Sequence, residues 1–257
     1  MKIELSAPIR TTLVATQRIK AEFARTQERL ATGRKDDERG NVAAAYVARS
    51  LSDRASDLIG VKNTIGQAAS KSQTALNGLE TISSTLTQIK AVAQQYQATS
   101  DPNQQAALQN QFNVLAQQLD NFARDSSFGG TNLISGSPDT LQIPFNEDGS
   151  SSLTISGQAS DSAALGFSIT DTASIDAAQQ QVRAAAQAIG SSASAVEIRE
   201  DFTSKLVNSL EEGAAKLVEV DLNEEAAKAI SAQTRGALAV ISTGLAAQSD
   251  RAILQLF

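Results

Sequence analysis

Residues 61–96 read VKNTIGQAASKSQTALNGLETISSTLTQIKAVAQQY, and the apolar side chains of this stretch recur with a period of seven. Steps of seven upstream and downstream give two interleaved rows: Leu51, Leu58, Ile65, Ser72, Leu79, Leu86 and Ala93, and Val61, Ala68, Ala75, Ile82, Ile89 and Tyr96. Two rows that alternate at three and four residues form the seam of a coiled coil. The pattern predicts one helix over about 42–99, with a length of roughly 85 Å at about 1.5 Å per residue.

Two more segments carry the same periodicity. Asp101-Pro102 ends the first helix and starts a second, whose apolar residues follow a 4-3-4-3 spacing and which we expect to fold back antiparallel. A third run begins at Ile175 and continues in sevens to Leu217, with Arg199 at a seam position that we do not expect to be buried. The predicted seam residues of this rod are Leu58, Ile65, Leu79, Ile82, Leu86, Ile89, Leu115, Leu119, Val182, Ile189, Val196, Leu210 and Leu217.

The segment between the second and third helices has a different composition. Residues 128–158 are rich in Gly, Ser, Asn and Pro, and apolar residues alternate on both sides of an Asn-Glu-Asp-Gly sequence at 146–149. Alternation around such a turn predicts a β-hairpin. The fold class is therefore mainly α, with a long heptad-patterned antiparallel bundle and a small β region at about 128–170.

The two end segments, 1–41 and 222–257, are left without obvious partners. The first is weakly periodic, while the second has a helix start at Asp221 or Asn223 and large apolar residues that look scattered around its whole circumference. A helix of that kind expects burial on all sides, so we expect neighbours from other copies or other proteins. The predicted assembly residues are Ile9, Leu13, Phe23, Leu30, Ile230, Leu238, Ile241, Leu245, Ile253, Leu254, Leu256 and Phe257.

Ordering either end alone would cost roughly 1–2 kcal/mol of backbone entropy per residue. Because each end segment has little core of its own to bury, we expect both to be disordered in the unassembled chain and to fold on assembly.

Composition disfavours several classes of function. The net charge is −6 with no basic cluster, which argues against nucleic-acid binding. The chain has neither Cys nor His, so the usual metal ligands and the commonest general base are missing, and we expect no enzyme, metal or cofactor. Asp36 and Asp37 form a tight carboxylate pair, which we interpret as a solvated loop.

The sequence predicts neither a secretory signal at its N-terminal end nor a membrane span near its C-terminal end. Glu4 and Arg10 interrupt the apolar core that a secretory signal needs, and the charge-poor stretch 236–249 is shorter than the roughly 18–20 residues of a membrane span. We therefore expect any export to use a route that does not read a cleavable signal.

The chain resembles the bacterial flagellins in the order of its segments and in four local stretches. QERLATGRKDDERGNVAAAYVARSL (27–51) resembles their N-terminal region, and SQTALNGLETISSTLTQIKAVAQQ (72–95) resembles the following rod. SSFGGTNLISG (126–136) is similar to the family's F-N-G-T-x-L-L turn, and residues 217–257 resemble the terminal region with its L-x-L-F-like ending. The absence of large outer domains looks most like the short flagellins of alphaproteobacteria.

The resemblance implies a function and a division of the chain. It implies a self-assembling subunit of the flagellar filament for swimming motility, with residues 1–41 and 222–257 as the inner core and 42–221 as the outer rod. The implied partners are other copies, a flagellar export chaperone, the type III flagellar export apparatus, and the hook–filament junction and cap proteins; the implied location is extracellular. A hook–filament junction protein, or a secreted coiled-coil binding or translocator protein, stays an alternative.

One further expectation follows from the resemblance alone. Many flagellins are detected by an innate immune receptor through an Arg and a Leu on an exposed rod surface. The matching stretch here is LTQIKAVA (86–93), in which Gln88 stands at the Arg position and Val92 at the Leu position. This altered surface implies weak or no receptor activation.

Overall fold

A computed structural model describes residues 7–35 and 42–254 of the 257-residue chain. The predicted mainly α class with a small antiparallel sheet is confirmed. The elements are α1 (Ala7–Thr32), α2 (Val42–Ala98), α3 (Pro102–Asp125), β1 (Thr140–Pro144), β2 (Ser152–Ser156), α4 (Ser162–Leu165), α5 (Thr172–Val218) and α6 (Leu222–Leu254). They form two compact units, one from Met1–Asp53 with Leu210–Phe257 and one from Arg54–Ser209.

In the second unit, α5 runs antiparallel to α2. Lys90 of α2 forms an ion pair with Asp176 near the start of α5. At the other end, Lys62 Nζ donates a hydrogen bond to Ser204 Oγ at 3.3 Å. Between these two contacts, the residue number falls by 28 in α2 and rises by 28 in α5, as expected for a regular antiparallel pair.

Helix α3 also folds back on α2, as predicted. Asp101 caps it by accepting a hydrogen bond from the Asn103 N–H at 2.9 Å, and Pro102 occupies its first turn. Ser126, just beyond its C-terminal end, lies against Gly78, where a β-carbon would be 2.2 Å from Ser126 Oγ. Glycine therefore permits the close approach of the α3 end to α2.

The predicted seam of the rod coincides with the core. Three of its residues are half-buried, namely Leu115, Leu210 and Leu217. The other ten are at most 2 % exposed: Leu58, Ile65, Leu79, Ile82, Leu86, Ile89, Leu119, Val182, Ile189 and Val196.

The β-hairpin lies where alternation predicted it, with Leu141 opposite Ile155 and Ile143 opposite Leu153. Gly149 closes the turn with a positive φ of 70°.

Cations from both long helices hold the hairpin turn. Arg54 Nε of α2 donates to Glu147 Oε1 at 2.6 Å. Arg199 of α5 donates through Nη2 to the Phe145 carbonyl at 3.3 Å. The guanidinium of Arg199 also stacks over the rings of Phe145 and Phe202, at 5.1 and 4.9 Å from their centroids. Arg199 is half-buried rather than enclosed, as its sequence position predicted.

We predict opposite effects from alanine at two glycines of α2. A β-carbon at Gly78 would also lie 2.6 Å from Ile134 Cδ1, so Gly78→Ala should destabilise the fold by about 1–3 kcal/mol. No atom lies within 4 Å of the corresponding position at Gly60, so Gly60→Ala should stabilise it by roughly 0.5–1 kcal/mol. Urea unfolding measures both, and equal effects would contradict the close contact at Gly78.

Acid should weaken the attachment of the hairpin turn. The pKa of Glu147 is lowered, first by a backbone N–H donor and then by the Arg54 hydrogen bond. A lowered carboxyl pKa contributes stability that is fully present above the ordinary pKa and is lost as pH falls through the folded value. The stability difference between wild type and Glu147→Gln should therefore shrink between about pH 7 and about pH 3. Exposed Glu80→Gln is the control, and a difference independent of pH would contradict the prediction.

Candidate functional site

The helix pair formed by α1 and α6 in the first unit holds most of the predicted assembly residues. The two helices pack along their length, and a β-carbon at Gly236 would lie 3.6 Å from Ile19 Cγ2. Near the opposite end of the contact, Arg29 Nη1 lies 3.7 Å from Glu225 Oε1. The α6 residue number rises as the α1 number falls, so the pair is antiparallel.

Helix α6 turns a row of mainly small side chains toward α1. Its buried and half-buried positions include a row at alternating spacings of four and three: Glu225, Ala229, Ala232, Gly236, Ala239, Thr243 and Ala246. Helix α1 has a corresponding row of buried and half-buried residues: Ile9, Thr12, Thr16, Ile19, Phe23, Thr26 and Leu30. We call these two rows the terminal seam.

Four large apolar residues of α6 lie on the opposite side of the helix. Ile230, Leu238, Ile241 and Leu245 are 60–67 % exposed. At about 100° per residue they fall within an arc of about 80°, centred roughly 170° from the terminal seam. We call these four residues the outward stripe. The expectation that α6 is apolar around its whole circumference is therefore corrected, although Val240 lies off the stripe and is 61 % exposed.

The structure divides the predicted terminal residues into two groups. Ile9, Phe23 and Leu30 of α1 belong to the terminal seam, while Leu13 is 44 % exposed. The four α6 members form the outward stripe. The side chains of Ile253 and Leu254 lie outside the described part of the structure, as do residues 255–257 and the carboxylate pair at 36–37.

Sequence reasoning missed the α6 side of the terminal seam. Apart from Glu225, its members are Ala, Gly and Thr, which a search for large apolar residues passes over. Following the sequence from Glu225 in alternating steps of four and three residues would have identified this row.

Ion pairs accompany the terminal seam. Glu225 is 3 % exposed, and Lys228 donates to its Oε1 at 2.9 Å. Arg235 of α6 donates to Glu22 of α1 at 2.8 Å. Beyond the helices, the Val220 N–H donates to the Gly33 carbonyl at 3.1 Å and joins the C-terminal end of α1 to the start of α6.

The two residues at the receptor-equivalent positions have different environments. Gln88 is exposed, as predicted. Val92 is 5 % exposed and belongs to the hydrophobic core. The assignment of both residues to one exposed surface is corrected for Val92.

Within the described residues, no group of three or more acidic side chains could hold a metal ion. None of the described helices is long and apolar enough to cross a membrane.

Comparisons with known proteins give one consistent family. A family model described as the bacterial flagellin N-terminal helical region matches residues 6–139. Flagellin FljK of Caulobacter vibrioides is 30 % identical over 253 residues, which cover 92 % of this chain and 91 % of that protein. A flagellin of Brucella melitensis is 24 % identical over 257 residues, with 90 % of each chain covered.

A crystal structure of Bacillus cereus flagellin matches 65 % of this chain and 94 % of its own, at 17 % identity and a TM-score of 0.39. A likeness at that score supports no conclusion about this chain.

The terminal seam predicts a sharp difference between two alanines of α6. Ala232 is fully buried, so Ala232→Leu should force α1 and α6 apart at a cost of about 1–3 kcal/mol. Ala237 is exposed, so Ala237→Leu should leave the pair intact. Hydrogen exchange of the α6 amides in the assembled protein should be faster for Ala232→Leu alone; equal exchange in the two variants would contradict the seam.

Proposed function

The chain belongs to the bacterial flagellin family and is a structural subunit of the flagellar filament, and we propose that it polymerises by burying the outward stripe of α6 against neighbouring copies. The observation that carries the proposal is the exposure of Ile230, Leu238, Ile241 and Leu245 on one side of one helix. Full burial of one such side chain is worth roughly 1.5–3 kcal/mol. Four side chains per subunit, repeated in every copy, are a substantial driving force for assembly.

The charge pattern supports the same proposal. Residues 229–249 contain a single ionisable side chain, Arg235, and its guanidinium already has a partner in Glu22. Contact between copies along this part of α6 therefore buries no unpaired charge, although the chain carries a net charge of −6. No acidic side chain lies within residues 229–249.

The terminal helices are proposed to form the inner part of the filament. We place residues 1–41 and 222–257 in the inner core and 42–221 in the outer rod. The grouping of α1 and α6 in one compact unit supports this division. The terminal seam gives a physical reason for placing these helices in the inner core, because α1 covers one side of α6 and leaves the outward stripe free for other copies.

Disorder of both ends before assembly stays a prediction. The structure describes α1 and α6 as paired helices, but the α6 side of their contact consists mainly of Ala, Gly and Thr. Small side chains bury little apolar area, so we expect the pair to be marginal in the unassembled chain and to depend on burial of the outward stripe.

Export of the subunit follows from its place in a filament outside the cell. We propose that it passes through the type III flagellar export apparatus without a cleaved signal, and that an export chaperone covers the C-terminal segment before assembly. The same apolar stripe that drives polymerisation would need such cover. Junction and cap proteins at the two ends of the filament are the other proposed partners.

The outward stripe predicts the effect of a double substitution. Leu238→Ser with Ile241→Ser should leave the Arg54–Ser209 unit folded, by thermal unfolding, but should raise the critical concentration for polymerisation strongly, because two apolar contacts per copy are lost. Sedimentation after seeding and electron microscopy measure the polymer.

Val240→Ser is the matched control, because Val240 is as exposed as the stripe but lies off it. It should have a smaller effect. Normal filaments from the double variant would refute the role proposed for the outward stripe.

A further inference from the structure

Glu225 is an unusual residue in the terminal seam. It occupies the first α6 position of a row otherwise made of Ala, Gly and Thr, and its side chain is 5 % exposed. Its Oε1 contacts Lys228 Nζ at 2.9 Å and lies 3.7 Å from Arg29 Nη1. Its Oε2 is buried and has no hydrogen-bond partner among the described residues. Burying a carboxylate is costly unless it is compensated, so this position is not explained by stability.

Packing alone specifies the register of this seam weakly. Ala229, Ala232, Gly236 and Ala239 differ by at most one methyl group. A shift of α6 by one heptad would therefore bring Ala229 to the place of Gly236, or Ala232 to the place of Ala239, with little change in side-chain size. Side chains of different size and shape along a seam normally fix the register of a helix pair. The α6 side of the terminal seam has few such differences.

The charges change sign along the seam and so distinguish one register from its neighbours. Glu225 on α6 faces Arg29 on α1, whereas ten residues further along α6, Arg235 pairs with Glu22 at 2.8 Å. A shift by one heptad toward the N-terminus of α1 would place Glu225 near Phe23 and Glu22, away from Arg29. It would bury the carboxylate beside a like charge and away from Arg29, with Lys228 of its own helix as the remaining cation, which is unfavourable.

We propose that Glu225 is the positioning residue that fixes the register of α6 on α1, at some expense in stability. A single buried polar residue at a seam position specifies register in this way in coiled coils. In the filament, the register decides where the outward stripe stands relative to the rest of the subunit. The proposal builds on the proposed function only in using the polymer as the sample.

The neighbouring residue provides a matched control. Glu224 and Glu225 both contact Lys228 Nζ at 2.9 Å, but the side chain of Glu224 is 65 % exposed while that of Glu225 is 5 % exposed. Glu225→Gln and Glu224→Gln each remove one acidic partner of the same lysine. Only the first changes a charge inside the seam.

Engineered disulfides report the register directly, because the chain has no cysteine of its own. A cysteine pair at Ile19 and Gly236 reports the observed register, in which the two positions are in contact. Pairs of Ile19 with Ala229 or with Thr243 report shifts by one heptad in either direction. Each cysteine pair is oxidised in polymerised full-length chains. On a denaturing gel without reductant, a disulfide within one chain leaves the protein at monomer size, whereas a disulfide between chains gives dimers.

The expected pattern separates a positioning role from a purely structural one. The wild-type background and Glu224→Gln should cross-link only through Ile19 and Gly236. Glu225→Gln should lose most of that product and gain one of the shifted products. A residue that only added stability would lower all products together.

A charge exchange keeps the test decisive if Glu225→Gln fails to assemble. Arg29→Glu alone should behave like Glu225→Gln, and Arg29→Glu with Glu225→Arg should restore the cross-link between positions 19 and 236. An unchanged pattern in Glu225→Gln, or absence of that cross-link in the wild-type polymer, would overturn the proposal. The first of these results would leave polymerisation through the outward stripe untouched.

Discussion

The structure depends on an asymmetry in one helix. Helix α6 packs on α1 through a row of mainly small side chains, while four large apolar side chains on its opposite face are 60–67 % exposed. A globular protein would do the reverse, because burying large side chains yields most of the free energy. An exposed apolar face of this kind is typical of a surface that binds another protein. In our proposal, other copies in the filament cover it.

The unit formed by Arg54–Ser209 encloses a hydrophobic core of its own. Its two long helices bury a regular heptad seam of Leu, Ile and Val, and α3 and the hairpin pack on the same core. Charged side chains attach the hairpin turn to both helices. The chain thus combines a bundle that encloses its own core with a terminal helix pair that exposes an apolar face, and we propose that assembly covers that face.

Sequence alone predicted the parts governed by large side chains with a regular spacing. The heptads that include Ile65, Leu86 and Ile189 located the bundle and its seam, and Asp101-Pro102 located the break before α3. The orientation of α6 was not predicted, because the partner-facing residues are small and Ile230 and Leu245 drew attention to the opposite side. The burial of Glu225 was equally inaccessible, since periodicity cannot show that a Glu at a helix start lies inside a seam. Val92 was misplaced because a motif match gives position along the chain and not the direction of the side chain.

The accessibility of Ile241 before and after polymerisation tests the central claim most directly. With no native cysteine in the chain, Ile241→Cys provides a single thiol in the middle of the outward stripe, and Ile198→Cys provides one on the exposed surface of α5. The account predicts that a maleimide reagent labels the thiol at position 241 readily in unassembled subunits and hardly at all in filaments. Equal labelling at position 241 in both states, in filaments of normal appearance, would contradict it.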